Sequence, residues 1–332
     1  MRIGVLGAGA VGGLIAALLD RAGHDVEVTA RGEQLAAILG GGIRLDGGFG
    51  EHRARVRAGE RLTERPDIAF LTTKAQDAAD AIEPNAHLLD GVPVVIVQNG
   101  LGGLDVAHGL LPRSPLLGAL ALFAVSYLEP GRVTVTAALP TIIGAGPTCT
   151  RERLDEIVAA IGPAVPLEVT DDIVGAQWTK LLINHVNAMP AITGLSVQET
   201  IRDRRLRRII TASMRETSRI ARAAGARFAP MQGTPGWLAG LIAVLPLWAA
   251  QIIPLVINRR LGHVPNPGST LQSIRRGRLT EIDYLNGATV RIAAERGLTA
   301  PVNAALVALV HEVEETGAFI PPAEVARRVP LR

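Results

Sequence analysis

The sequence predicts an α/β protein in which a doubly wound parallel sheet is followed by an all-helical domain. Three observations carry this. Gly7, Gly9 and Gly12 stand in G-x-G-x-x-G spacing between an apolar run and a helical pattern. Short apolar runs then alternate with helical stretches to about residue 165, the order that builds a parallel sheet covered by helices. Beyond Pro166 long helical periodicities take over. The expected domains are 1–168 and 169–332, with the junction near 165–172. A chain of 332 residues is long enough for two cores.

The elements follow in order. "RIGVL" at 2–6 reads as the first strand, 10–22 as a helix and "DVEVTA" at 25–30 as the second strand. "DIAFLTT" (67–73) and "VPVVIVQNG" (92–100) are later strands, and 115–146 is β-rich with a turn at 129–132. Helical patterns cover 172–188, 197–225, 282–296 and 302–315. The start, "MRIGVLGAGAVGGLIAALLD", has the basic residue and apolar run of a secretory leader. Its spaced glycines and the strand pattern that follows make it structure instead.

The segment 236–257 carries no charge over 22 residues, close to the length of a bilayer span. Pro246 and Pro254 interrupt it, and proline is costly inside a helix. A buried or interface-forming helical pair is expected there, with a membrane-surface contact or a lid over an apolar substrate as the alternatives.

Composition narrows the function. With 48% hydrophobic and 20% charged residues the chain is globular, not disordered. Aromatic residues at 3% leave little for stacking nucleic-acid bases. The densest basic run, "IRDRRLRRII" at 201–210, reads as the solvated face of a helix. Cys149 is the single cysteine, which excludes an internal disulfide and fits a cytoplasmic location. No metal site is expected.

The glycine motif has a specific physical meaning. Gly7 permits a tight turn, Gly9 lets a pyrophosphate approach the backbone, and Gly12 lets helix and strand pack closely. Ala8, Ala10 and Val11 complete the loop, and the helix start offers N–H groups and a positive dipole end to phosphates. NAD sites usually end the second strand in an acidic residue, but here Ala30 and Arg31 stand at the tip and Glu27 lies mid-strand. Arg31 offers a planar fork to a 2′-phosphate, so NADP is expected. Lys74 and Asn99 follow strands at the sheet edge where ligands bind. Each also reads as an ordinary surface or turn residue.

Of 34 basic residues only Lys74 and Lys180 are lysine. Arginine stays protonated, whereas a lysine can be tuned to release a proton. Lys180, Asn184 and Asn187 lie at i, i+4 and i+7, within a ~60° arc of one continuous helix. Asparagine is a poor helix former, so this polar stripe reads as a lined pocket. His185 faces elsewhere and is treated as incidental. Downstream, "GSTLQSIRRGRLTEIDYLNG" holds Ser269, Glu281 and Asn286, and Glu281 is a candidate to orient a lysine.

With these residues in order the chain resembles the ketopantoate reductase (2-dehydropantoate 2-reductase) family over nearly its whole length. The matching pieces are "GAGAVG", "AR" at Arg31, "TKA" at Lys74, "QNG" at Asn99, "KLLIN" at Lys180 and Asn184, and "S-x-LQ…TEIDYLNG" from Ser269. The resemblance implies a Rossmann domain and a helical domain with the active site in the cleft between them. It implies NADPH-dependent reduction of ketopantoate to (R)-pantoate in pantothenate biosynthesis. Lys180 would be the proton donor. Asn99, Asn184 and Ser269 would hold substrate, with Asn187 beside them. Arg31, Lys74 and Asn99 would bind cofactor, and Glu281 would lie by both cofactor and active site.

There are departures. Asn187 follows Lys180 one residue earlier than in many members, a further downstream asparagine has no match in "AITGLSVQET", and 229–267 is longer than usual. All touch the substrate side, so a reductase of another, bulkier 2-oxo acid or an opine-type dehydrogenase is the alternative. An NADP sensor without catalysis and a membrane-attached scaffold are rivals of other classes. The expected partners are a small 2-oxo acid and a second copy of the chain, with no nucleic acid and no membrane.

Overall fold

The computed structural model describes every residue except Leu128, Gln232, Thr234, His263 and Arg332. It divides into two compact units, Met1–Ile173 and Val174–Arg332. The strands of the first are β1 (Arg2–Leu6), β2 (Asp25–Thr29), β3 (Ile43–Gly47), β4 (His52–Ala54), β5 (Arg57–Gly59) and β6 (Ile68–Leu71). They continue as β7 (Val94–Val97), β8 (Leu116–Ala121), β9 (Ala124–Ser126), β10 (Arg132–Ala137), β11 (Thr141–Ala145) and β12 (Leu167–Val169).

The main sheet runs β12–β11–β8–β7–β6–β1–β2–β5. Only β8 and β11 pair antiparallel within it. Its central strands read as continuous apolar runs because helices cover both faces: Ile3, Val5 and Leu6 of β1 and Val94 of β7 have no exposed surface. The helix Ala10–Arg21 buries Gly12 through Leu19.

The expected doubly wound sheet is present, with an addition. A second sheet, β4–β3–β10–β9, forms from 43–54 and 124–137. The β-rich run at 115–146 divides between the two sheets: β8 and β11 stay in the main sheet, while β9 and β10 leave it and β10 pairs parallel to β3. Alternation explains the stability of that choice, since Val133 and Val135 point inward while Thr134 and Thr136 stay more exposed. A Cβ on Gly13 would stand 3.0 Å from Val133 Cγ1, so the helix 10–21 packs closely on this sheet.

The second unit is built of helices around Ile192, Ile201, Leu206, Ile210 and Leu306, all fully buried. Two expected helices are interrupted. The pattern 197–225 splits at Asp203, whose carboxylate caps Arg204–Ala223 by accepting from the N–H groups of Arg205 (2.8 Å) and Leu206 (3.3 Å). The pattern 172–188 ends as α-helix at Asn184, makes a 3₁₀ turn His185–Asn187 and restarts as Ala188–Thr193. Pro190 supplies the reason. It has no N–H for a carbonyl four residues back, and the restart places it in a first turn, where none is needed.

The uncharged segment becomes three short helices, Gly236–Leu241, Leu247–Ala250 and Ile252–Arg260. Pro246 ends one run, and Pro254 sits in the first turn of the next. Among the described residues no helix is long and apolar enough to cross a membrane. The longer stretch 229–267 includes Gln232, Thr234 and His263, which lie outside the described residues.

Candidate active site

The glycine loop follows β1 directly. Gly7 has φ +98°, and a Cβ there would stand 2.6 Å from Thr73 Cγ2. A Cβ on Gly12 would stand 2.1 Å from the Gly7 carbonyl oxygen, so this position needs glycine for packing. Gly9 differs: a Cβ there meets nothing within 4 Å. Gly9 is also the N-cap of Ala10–Arg21, with no capping side chain and no acidic residue in the first turn. Open space above uncapped N–H groups suits a pyrophosphate, so the loop fits a dinucleotide. Ala8 is fixed by its N–H to Thr29 O (2.8 Å) and by Gln34 Nε2 donating to its carbonyl (2.5 Å). The Thr72 hydroxyl bonds with the carbonyls of Leu6 (3.0 Å) and Gly7 (2.7 Å).

At the end of β2 the acidic residue is unavailable. Glu27 is buried and accepts from the Thr63 N–H (2.9 Å) and hydroxyl (2.7 Å), with an Arg57 nitrogen 3.6 Å away. Arg31 is exposed, and its guanidinium has no partner among the described residues. Lys74 is half-buried just past β6. Asn99 is half-buried past β7, next to Gln98, whose Nε2 donates to Thr73 O at 2.9 Å. Thr73 Oγ1 and Gln98 Oε1 are buried without a partner among the described residues. Buried polar atoms left unsatisfied need an explanation, and the donors of a bound ligand would supply one.

In the helical unit Lys180 lies on Ile173–Asn184, whose Trp178, Leu181 and Leu182 are buried. Some of its side chain stays accessible. Desolvation of its ammonium nevertheless lowers the pKa from 10.5 to about 8, against the raising effect of the Glu281 charge. Asn184, half-buried, is one turn further along. Asn187 falls in the 3₁₀ turn, so the three-residue arc on one continuous helix is not what forms. The chain compensates from another direction. Gly268, at φ +72°, begins Gly268–Arg275, and a Cβ on it would stand 2.7 Å from Asn187 Oδ1. Asn187 therefore lies against the first turn of the helix carrying exposed Ser269.

Glu281 is half-buried and precedes the 3₁₀ turn Ile282–Tyr284. Its neighbour Thr280 donates its N–H to Glu314 Oε1 (2.7 Å), and His311 bridges Glu314 (2.7 Å) and Asp283 (3.0 Å). Asn286 is wholly buried, its Nδ2 donating to Asn303 Oδ1 at 2.9 Å. His185 is also wholly buried. Its Nδ1 donates to Leu181 O (2.6 Å), its Nε2 accepts from the Thr217 hydroxyl (2.7 Å), and burial lowers its pKa to about 4. A neutral structural role fits its treatment as incidental.

Sequence reasoning missed the residues that brace the site. Gln198 Oε1 accepts the Asn266 N–H (2.9 Å), and Asn266 Oδ1 accepts the Gly268 N–H (2.8 Å). The turn signal "NPG" at 266–268 was readable; its partner far upstream was not. Among the described residues no group of three His, Cys, Asp or Glu side chains could hold a metal ion.

A family model described as ketopantoate reductase PanE/ApbA matches residues 3–148, and its C-terminal companion matches 172–314. The 2-dehydropantoate 2-reductase of Pyrococcus abyssi is 30% identical over 95% of this chain and 98% of its own length. That of Pyrococcus horikoshii is 29% identical over 96% and 99%. The crystal structure of a PanE/ApbA family ketopantoate reductase from Ralstonia eutropha JMP134 superposes with a TM-score of 0.78 at 29% identity, covering 95% of this chain and 99% of that one.

Proposed function

Since the chain belongs to the ketopantoate reductase family, we propose that it reduces 2-dehydropantoate to (R)-pantoate with NADPH, Lys180 giving the proton. The observation that carries the reading is Lys180 itself, an ammonium with a pKa brought to about 8 on a helix face shared with Asn184.

When bound, the nicotinamide supplies a hydride to the carbonyl carbon. The chain's residues do the rest. Reduction places negative charge on the former carbonyl oxygen, and the Lys180 ammonium offsets that charge and donates the proton that completes the hydroxyl. Near pH 7 a group with a pKa of about 8 is mostly protonated, yet acidic enough to give the proton up. Glu281 opposes the desolvation of Lys180 and so keeps it charged between turnovers. The amides of Asn184 and Asn187 and the hydroxyl of Ser269 hydrogen-bond the substrate's carboxylate and hydroxyl oxygens.

For the cofactor, Gly7 to Gly12 would take the pyrophosphate, Lys74 and Asn99 would contact the nucleotide, and Arg31 would pair with the 2′-phosphate. Preference for NADP rests on Arg31 together with the engagement of Glu27 by Thr63. We infer a place for the enzyme in pantothenate biosynthesis in the cytoplasm. It is assigned as a homodimer, for which exposed Trp237 and Val244 offer apolar surface.

The test is the loss of NADPH absorbance with ketopantoate beside branched and longer 2-oxo acids. Strong turnover of ketopantoate supports the reading. Activity confined to a bulkier acid transfers the site to that substrate, and no oxidation with any of them ends the enzymatic reading.

A further inference from the structure

Within the helical unit a concavity of about 980 Å³ opens beside the start of Arg204–Ala223. None of the residues assigned above lines it. Its walls are of two kinds. Arg204, Arg205, Arg207 and Arg208 form one side, and Trp248, Ile252 and Leu255 lie on the other.

The basic wall is built at a cost. Arg204 and Arg208 are one helical turn apart, where like charges repel. Both lie near the positive end of the helix dipole, where cations are unfavourable, and the first turn holds no acidic residue. Asp203 is occupied by Arg205 at 2.9 Å. Arg207 is braced by Gln251 Oε1 (3.1 Å) and Ile201 O (2.9 Å). The guanidiniums of Arg204 and Arg208 have no hydrogen bond or ion pair among the described residues, and no described residue lining the cavity is acidic.

The apolar wall is equally uncompensated. Trp248 is 77% exposed and Ile252 55% exposed, and large apolar side chains grouped at a concavity mark a binding surface. An anion would satisfy the guanidiniums in bidentate fashion, and an attached apolar body would cover Trp248 and Ile252.

We propose that this cavity binds an anionic amphiphile, a phosphate ester carrying an apolar chain. The same chemistry is found in a soluble ester and in a lipid headgroup with its first methylenes.

The experiment is isothermal titration calorimetry of the full chain with monomeric octyl phosphate. Inorganic phosphate and octyl glucoside serve as head-only and tail-only controls. Flotation with phosphatidylglycerol or phosphatidylcholine vesicles runs alongside. The expected result is saturable binding of octyl phosphate, about tenfold or more tighter than either control. In Arg204→Gln/Arg208→Gln it weakens about tenfold, while the thermal melt is unchanged. Flotation with phosphatidylglycerol alone, lost in the same variant, also supports the site and assigns a lipid source. Equal affinity for octyl phosphate in the double variant overturns the proposal, as does binding no tighter than the controls without selective flotation. So does a second copy in the cavity: a dimer that Trp248→Asp dissociates, with no octyl phosphate bound by either form.

Discussion

Glu27 accepts both the N–H and the hydroxyl of Thr63, at 2.9 and 2.7 Å, and so is consumed inside the first unit. The cofactor end of β2 is left with the exposed guanidinium of Arg31. Arg31→Ala should raise the KM for NADPH by about ten- to a hundredfold, the loss of one charge-assisted contact of roughly 1.5–3 kcal/mol. The KM for NADH should barely move. Equal effects on both cofactors in steady-state kinetics would remove the 2′-phosphate from Arg31.

Lys180→Arg keeps the charge and removes the transferable proton. The fold and NADPH affinity should survive while kcat falls by roughly 10²–10⁴, and a kcat near that of the parent would end the assignment of Lys180 as proton donor.

The pH profile has a determined sign. Burial lowers the Lys180 pKa to about 8, so the donor is lost above that pH and kcat/KM should fall as pH rises through about 8. Glu281 holds that pKa up. Glu281→Gln should therefore move the alkaline limb to lower pH, and a limb that stays put would show that the carboxylate does not act on the ammonium.

Gly9 and Gly12 should separate binding from folding. A methyl at Gly12 meets the Gly7 carbonyl oxygen at 2.1 Å, whereas one at Gly9 enters open space. Gly12→Ala should cost about 1–3 kcal/mol or more and lower Tm. Gly9→Ala should leave Tm unchanged and weaken NADPH binding, as read by fluorescence titration. Equal melting losses in both would refute the division of roles.

Gly268→Ala places a methyl 2.7 Å from Asn187 Oδ1 at a left-handed φ of +72°. Strain of about 1–3 kcal/mol should displace Asn187 and raise the KM for the oxo acid several-fold with the KM for NADPH unchanged. Unaltered oxo-acid kinetics would detach Asn187 from substrate.

What the sequence disclosed follows from the range of the physics involved. The glycine loop was legible because its requirements are local: a turn, an approach and a close packing within six positions. Lys180 was legible because the chain otherwise uses arginine for charge. Asn187 was legible as a residue but not in its position, since one unbroken α-helix was expected where residues 185–187 form a 3₁₀ turn. The second sheet was hidden because β3 gains its parallel partner, β10, only far along the chain. The brace of Gln198 on Asn266 was hidden for the same reason, its partners being 68 residues apart.

The two bonds of the Thr72 hydroxyl, to the carbonyls of Leu6 and Gly7, clamp the turn after β1 to the strand beside it. A turn braced by the protein's own groups has little disorder left to surrender, so the entropic penalty of capturing a dinucleotide falls on the ligand. Mutational tolerance should follow. Loss of the Thr72 hydroxyl would be felt as slackness in the phosphate grip.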